Sequence, residues 1–208
     1  MKHLFTLAAI AAAATVSAVE LDTNLLADGD FEKGNQFINY KTWRMNGLSV
    51  VPSPDFFSGE KSLKIVKDAN TWIAVQTRNP LPIIPGKTIE LKFWMKSAGG
   101  NVPGSATLDF AQPNQNRHLY KTFNFQIGPE WKEFTFEYAV PADTDAYTGL
   151  KAGTCRLRLG LKNSPDAAEA YLDEVEYRLK KPERTDFKRA PESTWLRSPQ
   201  VFQELIRC

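Results

Sequence analysis

The sequence predicts an all-β protein, an antiparallel β-sandwich or barrel, and three observations carry that prediction. Apolar and polar residues alternate at period two along much of the chain, the spacing of half-buried strands. Glycine and proline turn signals separate the alternating stretches. No long stretch repeats its apolar residues at the spacing of an amphipathic helix, so the strands must bury their apolar faces in a sandwich or a barrel. In chain order, NTWIAVQT gives Ile73 and Val75 core parity and turns Trp72 and Gln76 to the other side. KTIELKFWMKS places Ile89, Leu91, Phe93 and Met95 on one face and Trp94 on the other. TFNFQI supplies Phe123, Phe125 and Ile127, and WKEFTFEYAV supplies Phe134, Phe136, Tyr138 and Val140. CRLRLGL alternates Cys155, Leu157, Leu159 and Leu161 with outward Arg156 and Arg158. AYLDEVEYRL sets Asp173 in the same parity as Tyr171, Val175, Tyr177 and Leu179. Breaks are expected at Pro85-Gly86, Gly99-Gly100, Pro103-Gly104, Gly128-Pro129 and Asn163-Ser164-Pro165. Trp43 and Trp131 stand at strand starts, where core packing is expected.

The two ends differ from this body. Residues 1–18, MKHLFTLAAIAAAATVSA, join a basic start to a short apolar run and a small-residue cleavage site. That is the layout of a secretory signal peptide, which implies a secreted or periplasmic protein. No other stretch is apolar enough to span a membrane. Residues 19–179 are then one domain, and 180–208 a charged linker with a short C-terminal helix over SPQVFQELIRC, capped by Ser198. Such a tail suits docking to an envelope partner or a join to a catalytic domain. The formal charge of +2 hides a basic tail, eight cations against four carboxylates from Arg178 onward, behind a mildly acidic body. No basic face of the kind nucleic acid requires is present. Cys155 reads as a small buried hydrophobe, with a bridge to Cys208 open if the tail folds back.

The stretch NLLADGDFEKG, residues 24–34, threads Asp28, Asp30 and Glu32 through Leu25, Leu26 and Phe31. A segment of this kind enters a core and turns sharply there. Followed in order by FFSGEKSLKI, IIPGKTIELKFWMKS, EWKEFTFEYAVPA and AYLDEVEY, it resembles the carbohydrate-binding modules of families 4 and 9 and the wider galactose-binding-like jelly rolls. The resemblance covers roughly residues 22–179. It implies a two-sheet antiparallel jelly roll, glycan binding without catalysis and, commonly, a structural calcium ion.

Two groups of residues carry the functional expectations. A carboxylate at core parity is costly unless paired or metal-bound, which singles out Asp173 and, in the opening segment, Glu32. An all-oxygen set suits calcium; the alternative is a turn cap or a pairing with Lys or Arg. The resemblance adds the carbonyls of Asp30, Ser58 and Lys61 to the calcium set. An outward Trp72 exposes apolar area that a sugar ring would cover. Arg158 and the stretch AQPNQNRHLY bring cations and amides to the same side. In the resembling modules Trp72 corresponds to the aromatic platform, Gln76 lies close to a polar ligand position, and Arg117 and Arg158 fall near others; Tyr120 is the aromatic nearest that loop. The ligand expected is a polysaccharide or oligosaccharide. The alternatives are a structural or protein-binding envelope module, distinguished by a flat apolar surround at Trp72, and a small jelly-roll hydrolase or lyase. A hydrolase needs two carboxylates on one open face, for which Glu174 and Glu176 are the nearest pair. With two histidines in the whole chain, triad chemistry and zinc sites find little material. His118, alone in a polar loop, is read as solvated.

Overall fold

The computed structural model describes residues 19–34, 36–39, 48–52, 56–110, 119–142 and 153–181. Among the described residues eleven strands form two sheets. The front sheet orders β1 (Phe37–Asn39), β4 (Thr71–Thr77), β10 (Thr154–Ser164), β7 (Val102–Phe110) and β8 (Leu119–Ile127), with β5 (Leu81–Pro82) also on β10. The back sheet orders β2 (Leu48–Pro52), β3 (Lys61–Lys67), β11 (Ala168–Lys180), β6 (Thr88–Ser97) and β9 (Lys132–Ala139). Every pairing is antiparallel. The expected jelly-roll sandwich is the observed architecture. The signal peptide, Trp43, Arg117, His118, Cys208 and the expected C-terminal helix lie outside the described residues.

The alternation read from the sequence builds the core directly. Ile89, Leu91, Phe93 and Met95 of β6 and Leu157, Leu159 and Leu161 of β10 are buried between the sheets. Phe93 packs on Phe125 and Phe134, with centroids 5.5 and 5.6 Å apart, and Phe123 stacks on Phe136 at 4.7 Å. Ring pairs at these separations add to plain area burial. One expected break is absent: Pro103 and Gly104 lie inside β7. Gly104 ends the pairing with β10, so Pro103 has no ladder partner there to miss its N–H. A Cβ on Gly104 would sit 2.5 Å from the Phe125 ring, so the glycine makes room for the core rather than for a turn.

A second difference concerns β11. Its register shifts between Asp173 and Glu176, and Glu174 adopts a left-handed φ of 48°. A bulge of this kind inserts one residue and exchanges the faces beyond it. Ala170 and Leu172 point into the core before the bulge, and Val175, Tyr177 and Leu179 after it. Tyr171 and Asp173 therefore do not share the core face with Val175, as period two alone predicts. They stand on the outer side of the back sheet, where Asp173 is paired in register with Trp94.

The bulge also divides the thirteen residues of β11 between two partners on one edge. Ala168–Leu172 pair with β3. Beyond the bulge the opening segment takes over: Leu25 and Asp22 donate to the carbonyls of Tyr177 and Leu179 at 2.8 and 2.9 Å, and Val175 donates to the Gly29 carbonyl at 2.9 Å. Gly29 approaches so closely that a Cβ would lie 2.0 Å from the Val175 oxygen. Leu26 and Phe31 are buried from this segment, as its composition implied.

Cys155 is a free, buried thiol 3.4 Å from the Tyr177 hydroxyl, which donates to the Pro82 carbonyl at 2.8 Å. Burial pushes the Cys155 thiol up from 9.0 to about 12. The unfolded thiol ionises first, so the native state holds the extra proton and this contribution to stability is lost as pH rises from 9 toward 12. In a Cys208→Ser protein at pH 8, a disulfide reagent is expected to leave Cys155 unmodified until denaturant is added; rapid reaction of the native protein would contradict the packing.

Candidate carbohydrate-binding cleft

The outer face of the front sheet carries a cleft of about 290 Å³. Its floor follows from register. Ala74 and Ser105 flank Gly160 in the ladder, giving three small residues in a row across β4, β10 and β7. A Cβ on Gly160 would lie 2.6 Å from the Ile73 carbonyl oxygen, so only glycine fits this floor. One rim is Trp72, 40% exposed, with Lys162 and Asn163 beside it where β10 bulges between Leu161 and Ser164. The opposite rim is the row in which Gln76, Arg158 and Thr107 pair across the same strands. Trp72 and Gln76 are four residues apart on β4, so the rims are roughly 13 Å apart at the usual strand rise.

The polar rim is rigid. Arg158 Nε donates to Gln76 Oε1 at 2.9 Å, and Nη2 forms an ion pair with the buried Asp109 carboxylate. Its guanidinium carbon lies 5.4 Å from the centre of the exposed Tyr120 ring, within the range of a cation–π contact. Gln76 is fully buried, and its Nε2 has no hydrogen-bond partner among the described residues. Gln76, Arg158 and Tyr120 are thus brought together as one constellation, and Trp72 faces them across the floor.

Sequence reasoning missed Asp109, Ser105 and Thr107, because the Pro103-Gly104 break hid β7. The alternation of GSATLDF contained the signal: Ala106, Leu108 and Phe110 inward, Ser105, Thr107 and Asp109 outward. Gly160 was legible only as a gap between two outward cations.

The five residues expected around calcium gather at the turn joining Phe57 to Lys61, on the outer side of the back sheet. Asp173 Oδ2 accepts from the backbone N–H groups of Phe57 and Ser58 at 2.8 and 3.1 Å, and Oδ1 from Glu174 at 2.8 Å. Glu32 Oε1 accepts from those of Glu60 and Lys61 at 2.6 and 2.9 Å. Lys61 Nζ donates to the Glu32 carbonyl at 2.8 Å, and Asp30 Oδ1 accepts from the Glu32 N–H at 3.3 Å. Burial raises the Asp173 carboxyl to about 6 against the pull of its three donors, whereas the Glu60 N–H bond lowers that of Glu32. Among the described residues no three His, Cys, Asp or Glu side chains gather as a metal cluster. Phe57, fixed by this turn, stacks on Trp94 at 3.7 Å and meets the edge of Trp131 at 6.0 Å. Trp131 therefore belongs to this outer cluster and not to the core.

Truncating Arg158 removes the cation paired with the buried Asp109 carboxylate, a loss of roughly 3 kcal/mol. Arg158→Ala is expected to lower the denaturation midpoint by several degrees and Tyr120→Ala to leave it nearly unchanged; equal midpoints would show that the ion pair contributes nothing.

No curated protein matches this chain. Solved structures do. A family 16 carbohydrate-binding module covers 74% of this chain and 99% of its own length at 16% identity, with a TM-score of 0.54. The CBM22-2 xylan-binding domain from Paenibacillus barcinonensis covers 73% and 97% at 20% identity, TM-score 0.55. The family 11 module from Clostridium thermocellum, solved with a β-1,3-1,4-mixed-linked tetrasaccharide, covers 78% and 100% at 14% identity, TM-score 0.53. At these identities the likeness establishes a shared fold. The family model CBM_4_9, described as a carbohydrate binding domain, matches residues 23–150. The chain belongs to this carbohydrate-binding domain family.

Proposed function

We propose that the protein binds a polysaccharide chain across the outer face of the front sheet, without catalysis. The observation that carries this reading is the cleft: an exposed indole on one rim, a floor of Ala74, Gly160 and Ser105, and a prearranged polar rim at Arg158. Sugar rings present C–H faces to an aromatic platform and hydroxyls to fixed donors and acceptors. Trp72 takes the ring, and Arg158, Gln76 and Tyr120 set the polar side, with Arg117 expected to add to it. Ser105, Thr107, Arg158, Lys162 and Asn163 bring polar groups into the lining that Trp72 shares. The described lining offers no carboxylate for acid–base work, and Glu176 stands on the other sheet beside Arg178. Family membership and the glycan-binding neighbours support the same reading. The leader read in residues 1–18 places the module in the periplasm or outside the cell, and the basic tail is its join to a catalytic or envelope partner.

Calcium is the second part of this proposal. Glu32 and Asp173 supply two carboxylates at one turn, and the carbonyls of Asp30, Ser58 and Lys61 complete a hard, all-oxygen set. When bound, the ion neutralises two acids that otherwise rely on backbone donors.

Affinity electrophoresis against soluble xylan and mixed-linkage glucan is expected to show retardation that Trp72→Ala abolishes, since burying a large apolar side chain is worth roughly 1.5–3 kcal/mol; unretarded wild-type protein in every gel would defeat the reading. Calcium is expected to raise the unfolding midpoint above that in chelator, with Glu32→Gln erasing the rise. An identical midpoint in both buffers would remove the ion.

A further inference from the structure

Lysine is rarely buried outright, because its ammonium is costly to take out of water. Lys67 is nevertheless only 1% exposed. It closes β3 at the parity of Leu63 and Ile65, so its side chain runs between the sheets at one end of the sandwich. Its Nζ donates to the carbonyls of Asp68, Ser164 and Asp166 at 3.0, 3.3 and 2.6 Å. An ammonium has three N–H groups, and here all three go to main-chain oxygens.

Those oxygens belong to the two connections that carry the Trp72 rim of the cleft. Asp68 lies in the turn from β3 into β4, and Trp72 is the second residue of β4. Ser164 and Asp166 lead from β10 into β11, just beyond the bulge that presents Lys162 and Asn163 to the cleft. The two connections are also clasped to each other. Asn70, with a left-handed φ of 55°, donates its N–H to the Ser164 carbonyl at 3.0 Å, and Ser164 is the register partner of Thr71. Thr71 Oγ1 donates to the Asp68 carbonyl at 2.8 Å, and Ser164 Oγ to that of Asp166 at 3.2 Å. One buried cation thus gathers carbonyls from both connections.

We infer that Lys67 is a positioning residue for the glycan cleft: its ammonium ties the β3–β4 turn to the β10–β11 connection and so fixes the backbone from which Trp72 and Asn163 rise. The inference rests on the cleft reading above and gives it a residue that does not itself line the cleft. Without the ammonium, three carbonyl oxygens lose a donor, and the connections part to recover one from water. The indole must then be ordered by the ligand, at a cost in affinity.

The test reads two quantities. One is retardation by soluble xylan and mixed-linkage glucan; the other is Trp72 emission, taken as the difference between each protein and its Trp72→Phe counterpart. Lys67→Ala is expected to weaken retardation roughly tenfold, the scale of ordering one or two side chains on binding, and to move the Trp72 emission. Added n-propylammonium, which replaces the deleted atoms, is expected to reverse both changes. Tetramethylammonium, a cation with no N–H to donate, is not. Thr71→Val, which removes the hydroxyl from the Asp68 carbonyl, is expected to act in the same direction by about two- to threefold with the unfolding midpoint unchanged. Wild-type affinity and emission in folded Lys67→Ala, or in Thr71→Val should Lys67→Ala not fold, overturn the inference and leave the cleft reading standing. Weaker binding that n-propylammonium does not restore, or that leaves the Trp72 emission unmoved, marks a general loss of stability and overturns it too. If neither glycan retards the wild-type protein while Lys67→Ala still moves the Trp72 emission, the cleft reading falls and the positioning stands.

Discussion

The bulge in β11 is the constraint from which most of this molecule follows. Shifting one residue out of the ladder turns Asp173 outward while Val175, Tyr177 and Leu179 stay in the core. An outward acid on a sheet is ordinarily solvated. Here it is buried because the Phe57–Lys61 turn closes over it and directs two N–H groups at one oxygen. Glu32 binds the other half of the same turn. The turn is therefore held from two sides by acids that are far apart in sequence, each satisfying backbone donors that would otherwise be stranded. Phe57 takes its place over Trp94 as a consequence of that closure. Remove the bulge, and the opening segment loses both its ladder partner and its anchor.

The cleft arises where three strands run side by side in register through Ala74, Gly160 and Ser105, and β10 bulges only beyond Leu161. Groove depth comes from side chains that are missing: a glycine between an alanine and a serine lowers the floor, and the indole and guanidinium rise at either end. Arg158 is unusual for a surface cation in having a buried carboxylate, an amide and an aromatic ring arranged around it. Such restraint means little conformational entropy remains to be lost when a ligand arrives. Trp72 has the same advantage by chemistry, since an indole has only two rotatable bonds.

How much of this could be read beforehand differed between the elements. The core strands β6 and β9 were legible because each alternates from end to end, and β10 because its leucines alternate from Cys155 to Leu161. Trp72 was legible because its neighbours Ile73 and Val75 set its direction unambiguously. Asp173 was found for the wrong reason: parity counted across a bulge mislabels the face, and nothing in YLDEVEY marks Glu174 as left-handed. β7 was missed because Pro-Gly is a turn signal in most settings, and only the packing of Phe125 over Gly104 overrides it. Asp109 was missed with it. Its importance depends on register against Arg156 and on the reach of Arg158, neither of which one strand's sequence contains.

The opening segment brings residue 22 beside the end of β11. Asp22 donates its N–H to Leu179, its carboxylate accepts from the Lys181 N–H at 3.2 Å, and the two side chains approach to 3.7 Å. Asp22 and Lys181, near the two ends of the described sandwich, thus meet at one edge of the sheet opposite the cleft. A unit wired in this way can be inserted into the loop of a host protein without parting the host's ends. It can also be tethered from either side with the same orientation. In both arrangements the cleft faces away from the attachment and stays open to solvent.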